Sequence, residues 1–318
     1  MRVLLVLLIV LLTAADASAA TVAREGSEIV FRSAPGERDR VRVEVAGSLV
    51  RFTGGARAGE GCSARGRPDG SGQGATCDIT GVTEIHILAG DGDDEFTLSG
   101  PMAFNVDLGP GDDRLTPETG TEGEPSAVTV TGGDGNDEIG VYARSATVLG
   151  EAGNDSLTAE QSNASGPSTM DGGPGNDSLR SIGVRDLRMI GGDGDDRLIG
   201  LADGVTSEID CGPGADVTRI GVEDRPGAGC APHVTELRLT GRITVTGRIS
   251  AAATVTLTVL TRARERLASG TLRARRAGRL RRTLRQTGIL RSSNVVVRIT
   301  TRGGAGDRGT VSYATRIR

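Results

Sequence analysis

Between residues 89 and 219 a segment rich in glycine and aspartate returns about every twenty residues, and a period of that length describes one coil of a solenoid rather than a helical hairpin. The copies read AGDGDDEFT from Ala89, LGPGDDRLT from Leu108, GGDGNDEIG from Gly132, GEAGNDSLT from Gly150, GGPGNDSLR from Gly172, GGDGDDRLI from Gly191 and CGPGADVTR from Cys211. Their fourth-position glycines, Gly92, Gly111, Gly135, Gly153, Gly175, Gly194 and Gly214, are 19, 24, 18, 22, 19 and 20 residues apart, so the unit is slightly elastic.

The residues between copies keep register as well. Two positions before each copy stand Ile87, Val106, Val130, Val148, Met170, Met189 and Ile209. Two residues earlier come Ile85, Phe104, Val128, Ala146, Ser168, Leu187 and Ser207, and the eighth position of the copies holds Phe96, Leu115, Ile139, Leu157, Leu179, Leu198 and Thr218. The two-residue period belongs to a strand. Each coil therefore offers one short strand before its motif and one after it, with inward faces meeting in a thin core. With aromatics at 2%, no Trp and 49 glycines, thin stacked layers suit this composition better than a core of large side chains. A merely solvated Gly/Asp tract would not keep these columns.

The segments resemble the glycine-rich nonapeptide GGxGxDxUx of RTX, or haemolysin-type, calcium-binding proteins, in which U is a large apolar residue and the repeats wind a parallel β-roll. The resemblance covers residues 85–219. Its sixth-position aspartate falls on Asp94, Asp113, Asp137, Asp155, Asp177, Asp196 and Asp216. Only Thr218 departs from the apolar eighth position, and the motif occurs once per coil rather than twice, so the calcium-binding turns are expected along one edge. The resemblance implies ions between successive turns, up to about six of them for such a stack. Second-position Gly90, Gly109, Gly133, Gly173, Gly192 and Gly212, with the fourth-position glycines, permit the positive φ that turns backbone carbonyls toward an ion. Asp91, Asp134 and Asp193 at the third position add carboxylates to the ligand set. Oxygen ligands of this kind suit calcium, a hard cation. Glu151 replaces glycine in the fourth copy, and Ala215 with Thr218 weakens the seventh. An EF-hand is excluded because Phe96 stands where the loop beginning at Asp91 requires glycine.

The rest of the chain divides around this tract. Residues 1–19 have Arg2, an apolar run from Val3 to Leu12 and small residues at Ala17–Ala19, the features of a cleaved secretory signal, with no membrane span expected. Residues 20–84 carry alternating strands at Ile29–Phe31, Val41–Val45 and Leu49–Phe52 that are expected to cap the open end of the roll, which occupies 85–232. In an exported chain the four cysteines read as disulfides, their spacing pairing Cys62 with Cys77 and Cys211 with Cys230; zinc is the alternative, but there is no CxxC and His86 and His233 are isolated.

Residues 20–232 hold 37 acidic residues against 17 arginines, whereas 233–318 hold 3 against 19. The second segment alternates through Leu237, Leu239, Ile243, Val245, Ile249, Val255, Leu257 and Val259, which predicts a small immunoglobulin-like β-sandwich. Its arginines from Arg273 to Arg285 offer a surface to an anionic cell-envelope polymer, nucleic acid or the acidic roll, with a solvated surface as the preferred reading. No nucleic-acid partner is expected, because neither an aromatic platform nor a nucleic-acid motif accompanies them.

The expectation is an all-β, secreted, calcium-binding protein of structural or adhesive role. An exported hydrolase or toxin of the same class is the alternative, but HExxH and GxSxG are absent, no long apolar or amphipathic segment points to membrane insertion, and no enzymatic activity is expected.

Overall fold

A computed structural model describes residues 19–66, 74–118, 123–160, 166–200, 207–220, 225–227, 229–230, 234–240, 244–249, 253–261, 266–286, 294–303 and 308–316. The expected signal segment up to residue 18 and His233 lie outside these residues. Every regular element described is a strand, and among the described residues no helix is long and apolar enough to cross a membrane.

Strands Glu84–Leu88, Ala103–Asp107, Ala127–Asp134, Ala146–Ala152, Ser168–Pro174, Leu187–Asp193 and Glu208–Asp210 lead into the motifs and pair in parallel, in chain order, as one sheet. Strands Glu95–Ser99, Arg114–Pro117, Glu138–Tyr142, Ser156–Glu160, Ser178–Ile182, Arg197–Gly200 and Val217–Ile220 leave the motifs and form the second. Together they make a parallel β-solenoid of about six turns. Its register is set by burial: Val106 lies beside Val130, Val130 beside Val148, and Phe96 beside Leu115, all of them buried. A slip of one residue would turn an entire column outward.

The solenoid begins earlier than the first motif. Glu28–Arg32 runs parallel to Glu84–Leu88, and Arg40–Ala46 runs parallel to Glu95–Ser99, placing Ile29 beside Ile85 and Val41 beside Phe96. Antiparallel Thr21–Glu25 and Leu49–Thr53 turn back from this coil, and Gly74–Asp78 and Cys62–Arg65 continue outward. Phe31 fills this end, with its ring 6.2 Å from that of Phe52 and 5.4 Å from that of Phe96. Disulfides join Cys62 to Cys77, directly opposite residues of neighbouring strands, and Cys211 to Cys230.

At the other end Arg308–Arg316 pairs in parallel with Val217–Ile220. Asn294–Arg302, Ala253–Thr261 and Arg266–Ala274 follow it antiparallel, so the second solenoid sheet passes directly into an antiparallel one. Val234–Thr240, Thr244–Ile249 and Gly278–Thr283 form a separate three-stranded sheet. Ile249 of this sheet clusters with Val255, Leu257, Val259 and Val297 of the antiparallel one, and with Leu284, in a second hydrophobic core.

Candidate metal-binding turns

The motifs stack as turns along one edge, and two glycine positions make the stacking possible. Fourth-position φ values run from 131° at Gly92 to 159° at Gly214, and second-position values from 76° at Gly212 to 117° at Gly133, where L side chains are strained. Space is as restrictive as φ: a Cβ on Gly153 would lie 1.6 Å from the Gly135 carbonyl oxygen of the preceding coil. Glu151 takes the second-position conformation without being glycine, at φ 69°. The fourth-position N–H groups donate to third-position carbonyls of the next coil, as from Gly111 to Asp134 at 2.8 Å and from Gly175 to Asp193 at 2.7 Å.

The sixth position points inward and builds a carboxylate ladder. The N–H of Asp94 donates to Asp113 Oδ1 at 2.7 Å, and those of Asp113, Asp137, Asp155 and Asp177 donate to Oδ1 of Asp137, Asp155, Asp177 and Asp196, each at 2.8 Å. The series closes from Asp196 to Asp216 at 2.9 Å. It also extends backward to a residue that no motif contains, for the Asp39 N–H donates to Asp94 Oδ1 at 2.6 Å.

The fifth position builds a second ladder on the outer side, in the opposite sense. Here the N–H of the later coil donates to the side chain of the earlier one: Asp112 to Asp93 at 3.1 Å, Asn136 to Asp112 at 2.7 Å, Asn154 to Asn136 and Asn176 to Asn154 at 2.9 Å, and Asp195 to Asn176 at 2.8 Å. Third-position Asp91, Asp134 and Asp193 are exposed, and Asp91 Oδ1 accepts the Gly36 N–H at 2.7 Å. The structure thus gathers the sixth-position carboxylates into one buried column and leaves the third-position ones at the surface.

Each buried carboxylate has a spare oxygen. Oδ2 of Asp39, Asp94, Asp113, Asp137, Asp155, Asp177 and Asp196 is enclosed without a hydrogen-bond partner. That of Asp137 faces the first residue of its own motif: a Cβ on Gly132 would lie 2.3 Å from Asp137 Oδ2 and 2.6 Å from the Gly150 carbonyl oxygen of the next coil, and Gly150, Gly172 and Gly191 repeat the arrangement with Asp155, Asp177 and Asp196. Acceptor atoms therefore converge inside the turns. Burial, opposed by the ladder N–H and reinforced by neighbouring carboxylates, pushes Asp94, Asp113 and Asp177 up to about 7 and Asp137 up to about 6. Burial also raises Asp155 and Asp196. A buried carboxylate of this kind is stabilised by a proton or by a cation.

These residues fit a hard cation in donor chemistry. Among the described residues no three His, Cys, Asp or Glu side chains gather into a metal cage of their own, so an ion here would take backbone oxygens beside Oδ2. The chain matches no protein-family model, no curated protein and no solved structure.

Two features of the site were missed in the sequence. Asp39 precedes an alternating strand but follows Ser33–Arg38, which has a single glycine, Gly36, and spans one residue more than a motif turn. The fifth-position ladder had a visible signal, since Asp93, Asp112, Asn136, Asn154, Asn176 and Asp195 are all short Asx side chains.

Proposed function

We propose that the chain is a secreted calcium-binding solenoid of the haemolysin type, structural or adhesive in role, whose stacked turns take up several calcium ions. The observation that carries this reading is the column of buried carboxylates, in which Asp94, Asp113, Asp137, Asp155, Asp177 and Asp196 each have an enclosed oxygen lacking a protein donor. Asp94, Asp113, Asp137, Asp155, Asp177 and Asp196 would hold the ions together with backbone oxygens of the turn glycines. Bound calcium supplies positive charge that offsets repulsion between carboxylates stacked about 4.8 Å apart. Two disulfides accord with an oxidising, extracellular setting. Two antiparallel sheets around one core support the sandwich reading of the C-terminal part.

A second reading is favoured by the ladders themselves. Both close coil to coil through hydrogen bonds alone, so a metal-free solenoid with protonated sixth-position carboxyls is self-consistent. Calorimetric titration with calcium, beside thermal melting in calcium and in excess chelator, separates the two. Uptake of several ions with a raised melting temperature is expected; no heat of binding and identical melting curves would leave the metal-free reading.

A further inference from the structure

The antiparallel sheet at the C-terminal end has an outer face with no acidic residue among its described side chains. Val255, Leu257, Val259, Val297 and Ile299 point into the core, which leaves Thr254, Thr256, Thr258, Arg298, Thr300 and Arg302 on the opposite side. Register sets its charges in one row. Arg273 lies opposite Thr254, Thr254 opposite Arg302, and Arg302 opposite Arg308, a row about 14 Å long at ordinary strand spacing. A parallel row of hydroxyls lies beside it, with Thr256 and Thr271 Oγ1 atoms 3.3 Å apart and those of Thr300 and Thr310 3.5 Å apart.

Two like charges directly opposite on neighbouring strands are destabilising, yet Arg302 and Arg308 are so placed. Among the described residues, neither these two nor Arg273 has a salt-bridge partner. Far along the same outward row, by contrast, Arg40 pairs with Glu95 and Arg114 with Glu138. A cavity of about 470 Å³ opens at the arginine end, lined by Thr254, Arg273, Arg275, Arg302 and Gly303 among others. Guanidinium groups present forked donors that match phosphate oxygens, and threonine hydroxyls donate to the same class of acceptor.

We propose that this face docks a phosphate-bearing polyanion other than nucleic acid, its phosphates held by Arg273, Arg302 and Arg308 and its remaining oxygens received by the threonine row. The surrounding segment supports a long ligand, since residues 233–318 hold 19 arginines against 3 acidic residues. The inference stands whether or not the turns take calcium.

The test is fluorescence anisotropy of the full chain with labelled linear polyphosphate, at fixed calcium and varied salt. Arg273→Gln/Arg302→Gln/Arg308→Gln is expected to weaken binding roughly tenfold or more and to reduce the log–log salt slope by about 3, one per arginine. Arg40→Gln is expected to bind as the unmodified chain does. Circular dichroism checks that each variant folds, and should the triple variant fail to fold, Arg302→Gln alone is read by its slope, with a fall of about 1 expected and an unchanged slope overturning the proposal. Unchanged binding by the folded triple variant, or an equal loss with Arg40→Gln, overturns it too. So does inorganic phosphate competing as well as the polymer at equal phosphate, or duplex DNA binding where polyphosphate does not.

Discussion

Asp155 shows how one side chain carries two separable duties. Its Oδ1 accepts the Asp137 N–H at 2.8 Å, while its Oδ2 has no partner and lies by Gly150 and the Gly172 carbonyl oxygen. Asp155→Asn retains an acceptor for the ladder, removes the buried charge and points a donor at that carbonyl. In chelator at neutral pH it is expected to melt higher than the unmodified protein, and to gain less from calcium; calorimetric scans in both conditions check this. Asp155→Ala leaves the Asp137 N–H buried and unsatisfied, at a cost of about 1–3 kcal/mol in either condition, measurable by urea denaturation. Glu151 offers the opposite case, because φ 69° is strained for it and natural for glycine. Glu151→Gly is expected to stabilise the chain by about 1 kcal/mol, read as a higher urea midpoint at unchanged slope.

At the scale of a strand and its turn, the raised carboxyls give stability a definite pH dependence. Their folded values, about 7 for Asp94, Asp113 and Asp177, lie above the unfolded carboxylate value, so the native state binds more protons. Without calcium, that stability is fully present below about pH 4 and is lost as pH rises toward 7. Calcium favours the ionised form and should restore stability at pH 7.5 while changing little at pH 4. Melting temperatures across this range, with calcium and with chelator, test it; a chelated protein that grows more stable between pH 4 and 7 would contradict the buried column. The strands around these turns were legible in the sequence because a parallel coil repeats its apolar columns, as Ile87, Val106 and Val130 do. The coil built by Glu28–Arg32 and Arg40–Ala46 was not, since it pairs with its neighbour through strand register and Asp39 while lacking the glycine pattern. The pairing of Arg308–Arg316 with Val217–Ile220 joins segments far apart in sequence, and an alternating pattern does not say which strand lies beside which.

For the molecule as a whole, the two disulfides lie toward opposite ends of the stack, Cys62–Cys77 in the strands outside its first coil and Cys211–Cys230 at its last motif. Replacing both Cys62 and Cys77 by serine releases a cross-link between residues 15 apart and is expected to cost about 3 kcal/mol, checked by chemical denaturation. The acidic edge and the arginine-rich end belong to one continuous sheet rather than to bodies on a linker, because Arg308 donates its N–H to the Asp216 carbonyl just as Arg114 does to that of Asp94. The spacing of the motifs, 18 to 24 residues, has a final consequence. Every coil adds the same rise of about 4.8 Å however many residues it contains, since the surplus falls between the strand that leaves one motif and the strand that leads into the next. Length is therefore counted in whole coils, and a chain built this way can act as a ruler: duplicating one repeat would move the arginine-rich end away from the amino-terminal end by one fixed step, leaving the chemistry at both ends unchanged.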